Sequence, residues 1–377
     1  MPAVSADTIL ELNEAEGAFG TLESWLREHG FFRPGGDELV ADLYLGYGLS
    51  DPLRRTSSPP PPEPCSQLPL LACSVRRESK NSLVTYRHKE GLASADVKGL
   101  VTYRHKGVSV GDWEATWSEV DYRRAIELVR EAIARGDVYQ VNLVQHLSAP
   151  FRGEPAAIAR VLAPLAPVRH EPLVGDGWAV VSASPELFLA RRGRRVWTMP
   201  IKGTRPAGHA SELGESTKDA AEHVMIVDLE RNDLSRVCEP GSIHWPELMR
   251  TRSMAGVEHM VSTVKGTVRE DVGLGELLEA TFPGGSVTGA PKIAALDLIA
   301  EFEPVGRGAA MGALGRVHGN GDLELALTIR TFAIADGHVH LWVGGGIVWD
   351  SGPAAEIEES WTKARPLLDA IGGAFPR

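Results

Sequence analysis

The sequence predicts an α+β fold in which large antiparallel sheets are covered by helices. Strand-like segments outnumber helical ones. They follow one another through hairpins instead of alternating with helices, which argues against a doubly wound parallel sheet. The composition is globular, with 43% hydrophobic and 24% charged residues over 377 positions. That length suits one large domain or two small ones.

Taken in order, Glu11 to His29 reads as one or two short helices, and Leu39 to Tyr47 as a strand ending at Gly48. Residues 57–64, rich in proline, form a stiff polyproline-like loop. Leu68 to Val75 is a strand candidate. The heptad from Leu83 to Lys89 recurs from Leu100 to Lys106. One duplication falls short of a repeat architecture and reads as a local structural echo. Residues 1–112 are therefore read as a short N-terminal region and 113–377 as the main domain.

Stronger signals follow. Asp121 to Ala134 is an amphipathic helix with Ile126, Val129 and Ile133 on one face, ended by Gly136. Val138 to Leu147 alternates as a half-buried strand, and Trp178 to Ser184 is another. Glu186 to Ala190 and Val196 to Met199 flank the basic turn 191–195. They predict a hairpin whose return strand ends at Lys202. Gly203 frees the backbone there, and Pro206 keeps a helix from starting. Thr217 to Arg236 is a long helix. Strands are predicted at 242–245 and 258–264, and a short helix at Leu274 to Ala280. The glycine-rich stretch 283–291 turns into a helix, Lys292 to Glu301, with Pro291 at its start. Three strands follow, Met311 to Val317, Leu323 to Ala335 and Val339 to Val343, with a sharp turn at Gly344 to Gly346. Pro353 to Ile371 is the last helix.

Charge narrows the function classes. A net charge of -11 and a pI near 5.6 argue against a nucleic-acid or anionic-membrane surface. No apolar run approaches the ~18 residues of a membrane-spanning helix. The stretch from Met1 to Thr8 lacks the pattern of a secretory signal. Cys65, Cys73 and Cys238 have no metal-ligand spacing, and three cysteines suit a reducing cytoplasm.

Several residues have the chemistry for a site. Lys202, on a strand beside Gly203, is either a surface lysine or a nucleophile whose pKa is lowered by burial. Asp219 and Glu222 share one helix face, and Glu356 and Glu359 share another. If the two faces converge, their carboxylates suit Mg²⁺; otherwise they are solvated helix faces. The stretch 283–291 lacks P-loop spacing, but its backbone N–H groups can hold a carboxylate, as can those of Gly344 to Gly346. Arg330 is either a bidentate carboxylate clamp or an ordinary strand-end arginine. His259 lies on a strand, in a structural or a catalytic role.

Six stretches in fixed order carry a resemblance. They are GDVYQVNL (136–143), SASPELF (182–188), PIKGTRP (200–206), AEHVMIVDLERNDL (221–234), FPGGSVTGAPK (282–292) and GGGIVWDS (344–351). Together, over about residues 115–375, the chain resembles the chorismate-utilising enzymes. That family includes anthranilate synthase component I, aminodeoxychorismate synthase component I, and the isochorismate and salicylate synthases. The resemblance implies two antiparallel sheets packed face to face with helices outside. It implies Mg²⁺ at Glu222 and Glu359, bridging to the ring carboxylate of chorismate. It also implies that Arg330 and the Gly346 backbone hold the enolpyruvyl carboxylate. Thr204, Asp219, His259, Ser286 and Lys363 fall on pocket positions of the family.

The resemblance also chooses a branch. Water-adding members resemble one another in a lysine where this chain has Gln140, and an amide is no general base. Ammonia-using members share the glutamine. Among them, anthranilate synthases typically have alanine, and aminodeoxychorismate synthases lysine, at the position of Lys202. The implied reaction is that of aminodeoxychorismate synthase component I, in p-aminobenzoate, folate or p-aminobenzoate-derived metabolism. Glu186 protonates the departing C4 hydroxyl, Lys202 attacks C2 to give a covalent adduct, and ammonia adds at C4 and expels the lysine. Ammonia would come from a separate glutamine amidotransferase subunit. The alternatives are anthranilate synthase component I, a 2-amino-2-deoxyisochorismate synthase, and a non-catalytic chorismate-binding subunit. Two departures from the family pattern are Ala207 after Pro206 and Ala310 in place of an aromatic residue.

Overall fold

A computed structural model describes residues 8–36, 38–77, 108–166, 171–206, 208–215, 217–254 and 257–374. The repeated heptads at 83–89 and 100–106 lie outside the described residues. The chain opens with β1 (Thr8–Leu12), α1 (Ala18–Glu28), β2 (Leu39–Leu45) and β3 (Leu71–Arg77). After β4 (Val108–Val110) and β5 (Glu114–Ala115) come α2 (Glu119–Arg135), β6 (Gln140–Gly153) and α3 (Pro155–Leu162). Then follow β7 (Leu173–Gly175), β8 (Trp178–Ser182), β9 (Leu187–Arg192), β10 (Arg195–Met199) and β11 (Ile201–Pro206). Next are α4 (Ala210–Glu215), α5 (Thr217–Ser235), β12 (His244–Met254), β13 (Val257–Thr267) and α6 (Leu274–Thr281). The chain continues with β14 (Gly289–Ala290), α7 (Lys292–Phe302), β15 (Ala313–His318) and β16 (Leu323–Leu327). It ends with β17 (Thr331–Ala335), β18 (His338–Ile347) and α8 (Pro353–Ile371).

These strands form two antiparallel sheets, as the resemblance implies. One has ten strands in the order β1-β3-β2-β15-β16-β9-β10-β13-β11, with β12 on the other side of β13. The second has eight, in the order β14-β6-β18-β17-β8-β7, with β4 and β5 also paired to β6. The strands β1 to β3 thus share a sheet with β15, on residues of the main domain. The principal apolar core lies between the sheets, with Leu43, Leu189 and Leu325 from one and Val141, Leu143 and Ala333 from the other. Alternate residues of the second sheet, such as Phe332 and Leu341, instead pack under α3 and α8 against Ile158, Leu162 and Leu367.

The chain departs from the sequence expectations at four places, three of them beside the site described below. The β9–β10 hairpin stops at Met199, because Pro200 lacks an N–H for the ladder. Lys202 therefore lies on a separate strand, β11, paired with β13 opposite Met260. Gly203, at φ 66°, forms a bulge between Lys202 and Thr204. The strand expected from Leu323 to Ala335 breaks after Leu327. Arg330 sits there in the left-handed region at φ 50°, where the chain leaves the first sheet as β16 and enters the second as β17. Gly344 to Gly346 are not a turn but part of β18, paired to β6 from Leu341↔Leu147 through Ile347↔Val141. Lastly, Glu11 belongs to β1, and only α1 is helical in the expected 11–29 stretch.

A buried ion pair fixes the wall of the site. Arg307 and Glu303, 1% and 2% exposed, pair at 2.7 Å. Arg307 also donates to the carbonyls of Val287 and Asn142, while Glu303 accepts the Val144 N–H. One ion pair thereby joins α7, the 285–287 turn and β6. Arg307→Met strands the Glu303 carboxyl in the core. The expected loss is about 3–5 kcal/mol of unfolding free energy, read by chemical denaturation. A loss under about 1 kcal/mol contradicts this account of the pair.

Candidate functional site

The site forms where β11, α5, β18, α8 and the 283–291 stretch meet. α5 presents Glu222, Ile226, Glu230 and Asp233 at i, i+4, i+8 and i+11, one inward face. From it Glu222 meets Lys202, with Nζ to Oε1 at 2.7 Å. The Gln140 amide donates to the same oxygen at 2.8 Å. The Lys202 side chain is only 12% exposed, which excludes the surface-lysine alternative.

The charge state of Lys202 corrects a sequence expectation. Burial works to lower its pKa, but the Glu222 carboxylate, by charge and by hydrogen bond, outweighs burial and holds it above the usual lysine value. The expected depression ignored this partner. Glu222 moves the opposite way. Its own burial favours the neutral acid, and Lys202 overrides that to hold it ionised.

Glu186 sits across the pocket and is 4% exposed. Ser286 Oγ donates to its Oε1 at 2.6 Å, and the Ile201 N–H reaches the same oxygen at 3.4 Å. Burial raises its pKa despite these bonds and the nearby Lys202 and Arg330 cations. It is thus placed to donate a proton. Ser286, expected as a pocket residue, orients this acid.

Arg330 is carried into the site by the left-handed crossing between the sheets. Burial lowers its pKa, and Glu186 is the nearby charge that opposes this. Among the described residues its guanidinium makes no hydrogen bond or close ion pair. A half-buried cation in that condition favours an anionic ligand. His259, 2% exposed on β13, stands near it; burial, then Arg330, lowers its pKa to about 4. It is an uncharged imidazole at neutral pH.

Asp219 pairs with Arg205 at 2.8 Å, at the edge of the site. Lys363 bonds both Glu359, at 2.7 Å, and the Gly344 carbonyl, at 2.8 Å. Thr204 lies in β11 opposite His259. The two helix faces converge as expected, upon the glycines of β18. A Cβ added to Gly346 would lie 2.8 Å from Glu222 Oε1, and one on Gly345 3.4 Å from Glu359 Oε1 and 3.7 Å from Glu356 Oε2. Glu222 and Glu359 thus bring carboxylate oxygens, the hard donors that Mg²⁺ takes, beside a strand without side chains. Among the described residues, no group of three or more acidic, histidine or cysteine side chains is gathered as a ready-made metal site.

Sequence reasoning missed three contributors. Gln140 was read only as a discriminator, yet its amide holds Glu222. Glu230, 7% exposed, bonds the Thr198 hydroxyl at 2.8 Å, and burial, then Glu186, raises its pKa well above the usual range. His223, beside Glu222, is fully buried. The i, i+4, i+8 recurrence of acids with Ile226 was the available signal for Glu230.

Comparison with known proteins identifies the family. A family described as chorismate binding enzyme matches residues 21–369. The chain is 42% identical over 270 residues to anthranilate synthase component 1 of Streptomyces coelicolor, covering 69% of this chain and 53% of that protein. It is 41% identical over 269 residues to aminodeoxychorismate synthase component 1 of Klebsiella aerogenes, covering 69% and 59%. The Bacillus subtilis aminodeoxychorismate synthase component 1 is 37% identical over 323 residues, covering 80% and 69%. The chain thus spans little more than half the length of the first two relatives. Among solved structures, anthranilate synthase component I from Streptococcus pneumoniae has the same fold, with TM-score 0.78 at 24% identity over 97% of this chain and 93% of that one.

The glycines of β18 carry a direct test. A methyl on Gly346 would lie 1.9 Å from Gln140 Nε2. Gly346→Ala must push that amide off Glu222, at a cost of about 1–3 kcal/mol in urea unfolding. An unchanged midpoint contradicts the packing described.

Proposed function

The chain belongs to the chorismate-binding enzyme family, and on that premise we propose that it acts as an aminodeoxychorismate synthase component I, converting chorismate and ammonia to 4-amino-4-deoxychorismate. The observation that carries this reading is Lys202, an amine held in the same buried pocket as Glu186, whose pKa burial raises. Arg330 supports it, because chorismate brings the carboxylates that its guanidinium suits.

In this reading Arg330, with the Gly346 backbone, holds the enolpyruvyl carboxylate, and Lys363 lies near the substrate's carboxylates. Glu222 and Glu359 would hold Mg²⁺. When bound, that ion supplies positive charge to the ring carboxylate. Glu186 gives its proton to the C4 hydroxyl, which leaves as water. Lys202, once freed from Glu222 and neutral, forms a bond from Nζ to C2 as both conjugated ring double bonds shift toward C4 and break the C4–O bond. Ammonia then bonds to C4, both double bonds shift back, and the C2–Nζ bond breaks to return the lysine. Glu186 takes the proton that the added nitrogen sheds. His259 and Thr204 flank the β11 bulge, and Asp219 steadies Arg205 nearby. A tethered amine replaces one hard substitution by two easier ones. We further propose that ammonia arrives from a glutamine amidotransferase partner and that the protein works in the cytoplasm, among p-aminobenzoate-forming reactions. Among the described residues, no helix is long and apolar enough to cross a membrane.

A second reading, anthranilate synthase component I, is favoured by the 42% identity to the Streptomyces coelicolor protein. The two readings differ in where nitrogen is added. With chorismate, Mg²⁺ and ammonium, the expected product is 4-amino-4-deoxychorismate, which a separate lyase converts to p-aminobenzoate. Anthranilate formed without lyase assigns the second reading. The pH profile tests Glu186. The rate is expected to be lost as pH rises through its raised pKa, where the proton leaves. Glu186→Gln is expected to remove that limb and to slow turnover by about 10²–10⁴-fold. An unaltered alkaline limb in the variant contradicts the role.

A further inference from the structure

A second contact joins α5 to the strands beside Lys202. His223, the residue after Glu222, and Ser262 of β13 are both 0% exposed. His223 Nε2 lies 2.5 Å from Ser262 Oγ. We infer that His223 and Ser262 are positioning residues, a strut that sets where Lys202 stands against the bound ring. The inference rests on Lys202 being the nucleophile.

Ser262 ties three elements. Its backbone N–H donates to the Pro200 carbonyl at 3.2 Å, two residues before Lys202. Its hydroxyl accepts the Met249 N–H at 2.9 Å, at a bulge of β12 where Met249 has φ 52°. That hydroxyl also meets the His223 ring, on the helix that carries Glu222. The Lys202–Glu222 pair and the Ser262–His223 contact are therefore two rungs between the same helix and the same strands. β11 needs the second rung, because the Gly203 bulge leaves Lys202 on a locally irregular backbone. Both residues are shut off from bulk solvent, at 0% exposure. Nδ1 of His223 has no hydrogen-bond partner among the described residues, so the ring is held through Nε2 alone.

The strut is separate from the groups proposed to hold substrate. Arg330 comes from the crossing between β16 and β17, and Gly346 from β18. Loosening the strut displaces the attacking nitrogen and leaves these groups in place. A displaced near-attack geometry lowers kcat, with KM for chorismate nearly unchanged.

The test compares three substitutions in the full chain with chorismate, Mg²⁺ and ammonium. His223→Leu fills the space without a polar contact and is expected to lower kcat about tenfold or more, with KM within about twofold. His223→Gln brings an amide nitrogen to the Nε2 position and is expected to recover most of the rate. His223→Asn places its amide near the Nδ1 position, too short to reach Ser262, and is expected to stay slow. If His223→Leu fails to fold, the Gln and Asn variants carry the comparison alone. Equal rates for Gln and Asn, or a wild-type kcat in His223→Leu, overturn the inference. Lys202→Ala is assayed beside them. Wild-type turnover in that variant overturns the nucleophile reading, and the strut's role with it. Loss of turnover there, with Gln and Asn equal, overturns the strut alone.

Discussion

The ion pair between Lys202 and Glu222 is the contact on which the arrangement of the pocket depends. Placing a lysine and a glutamate 2.7 Å apart inside a sandwich requires two elements to meet at fixed depth. Pro200 ends the hairpin so that β11 can run along β13 with its own register. α5 turns its acidic face inward, and β18 carries no side chains at Gly345 and Gly346, which makes room for the carboxylates. The Arg307–Glu303 pair locks β6, and with it Gln140, against the turn that carries Ser286. Each feature is unfavourable or neutral in isolation, and the buried polar groups are tolerated because they satisfy one another.

The same pair sets the chemical problem of the site. A lysine held by a carboxylate is protonated and no nucleophile. Burial works to lower its pKa, and Glu222 outweighs that. Turnover in the proposed direction therefore requires Glu222 to give up its claim on Lys202 when substrate and cation fill the pocket. Glu186 presents the opposite case. Its burial outweighs the nearby cations and raises its pKa, the direction that a proton donor to the departing hydroxyl in the proposed reaction needs. Two carboxyls thirty-six residues apart in sequence have their pKa values moved in opposite directions by whether a lysine touches them directly.

Much of the fold was legible in the sequence. α2, α5, α7 and α8 appeared within a few residues of their bounds, because their caps and periodicity are local. Lys202, Glu222, Glu186 and Ser286, which the structure brings into one pocket, were also singled out through motifs in fixed order. Three misreadings had one physical cause. Arg330, Gly344–Gly346 and the end of the β9–β10 hairpin are set by which sheet the chain joins, and propensity does not encode that. The glycine run was read as a turn because glycine usually marks one. Here it serves close approach of Glu222 and Gln140 to a strand. The depressed lysine pKa was misjudged for the same reason. Burial follows from pattern, but the partner that overrides it comes from twenty residues away on another element.

The most direct test of the central claim is the intact mass of the protein after mixing with chorismate and Mg²⁺ without ammonia. The account predicts a species heavier by chorismate less one water, located by peptide mapping at Lys202. That species should disappear when ammonium is added. An unmodified chain under conditions where ammonium alone then starts turnover, or an adduct on any other residue, would contradict it.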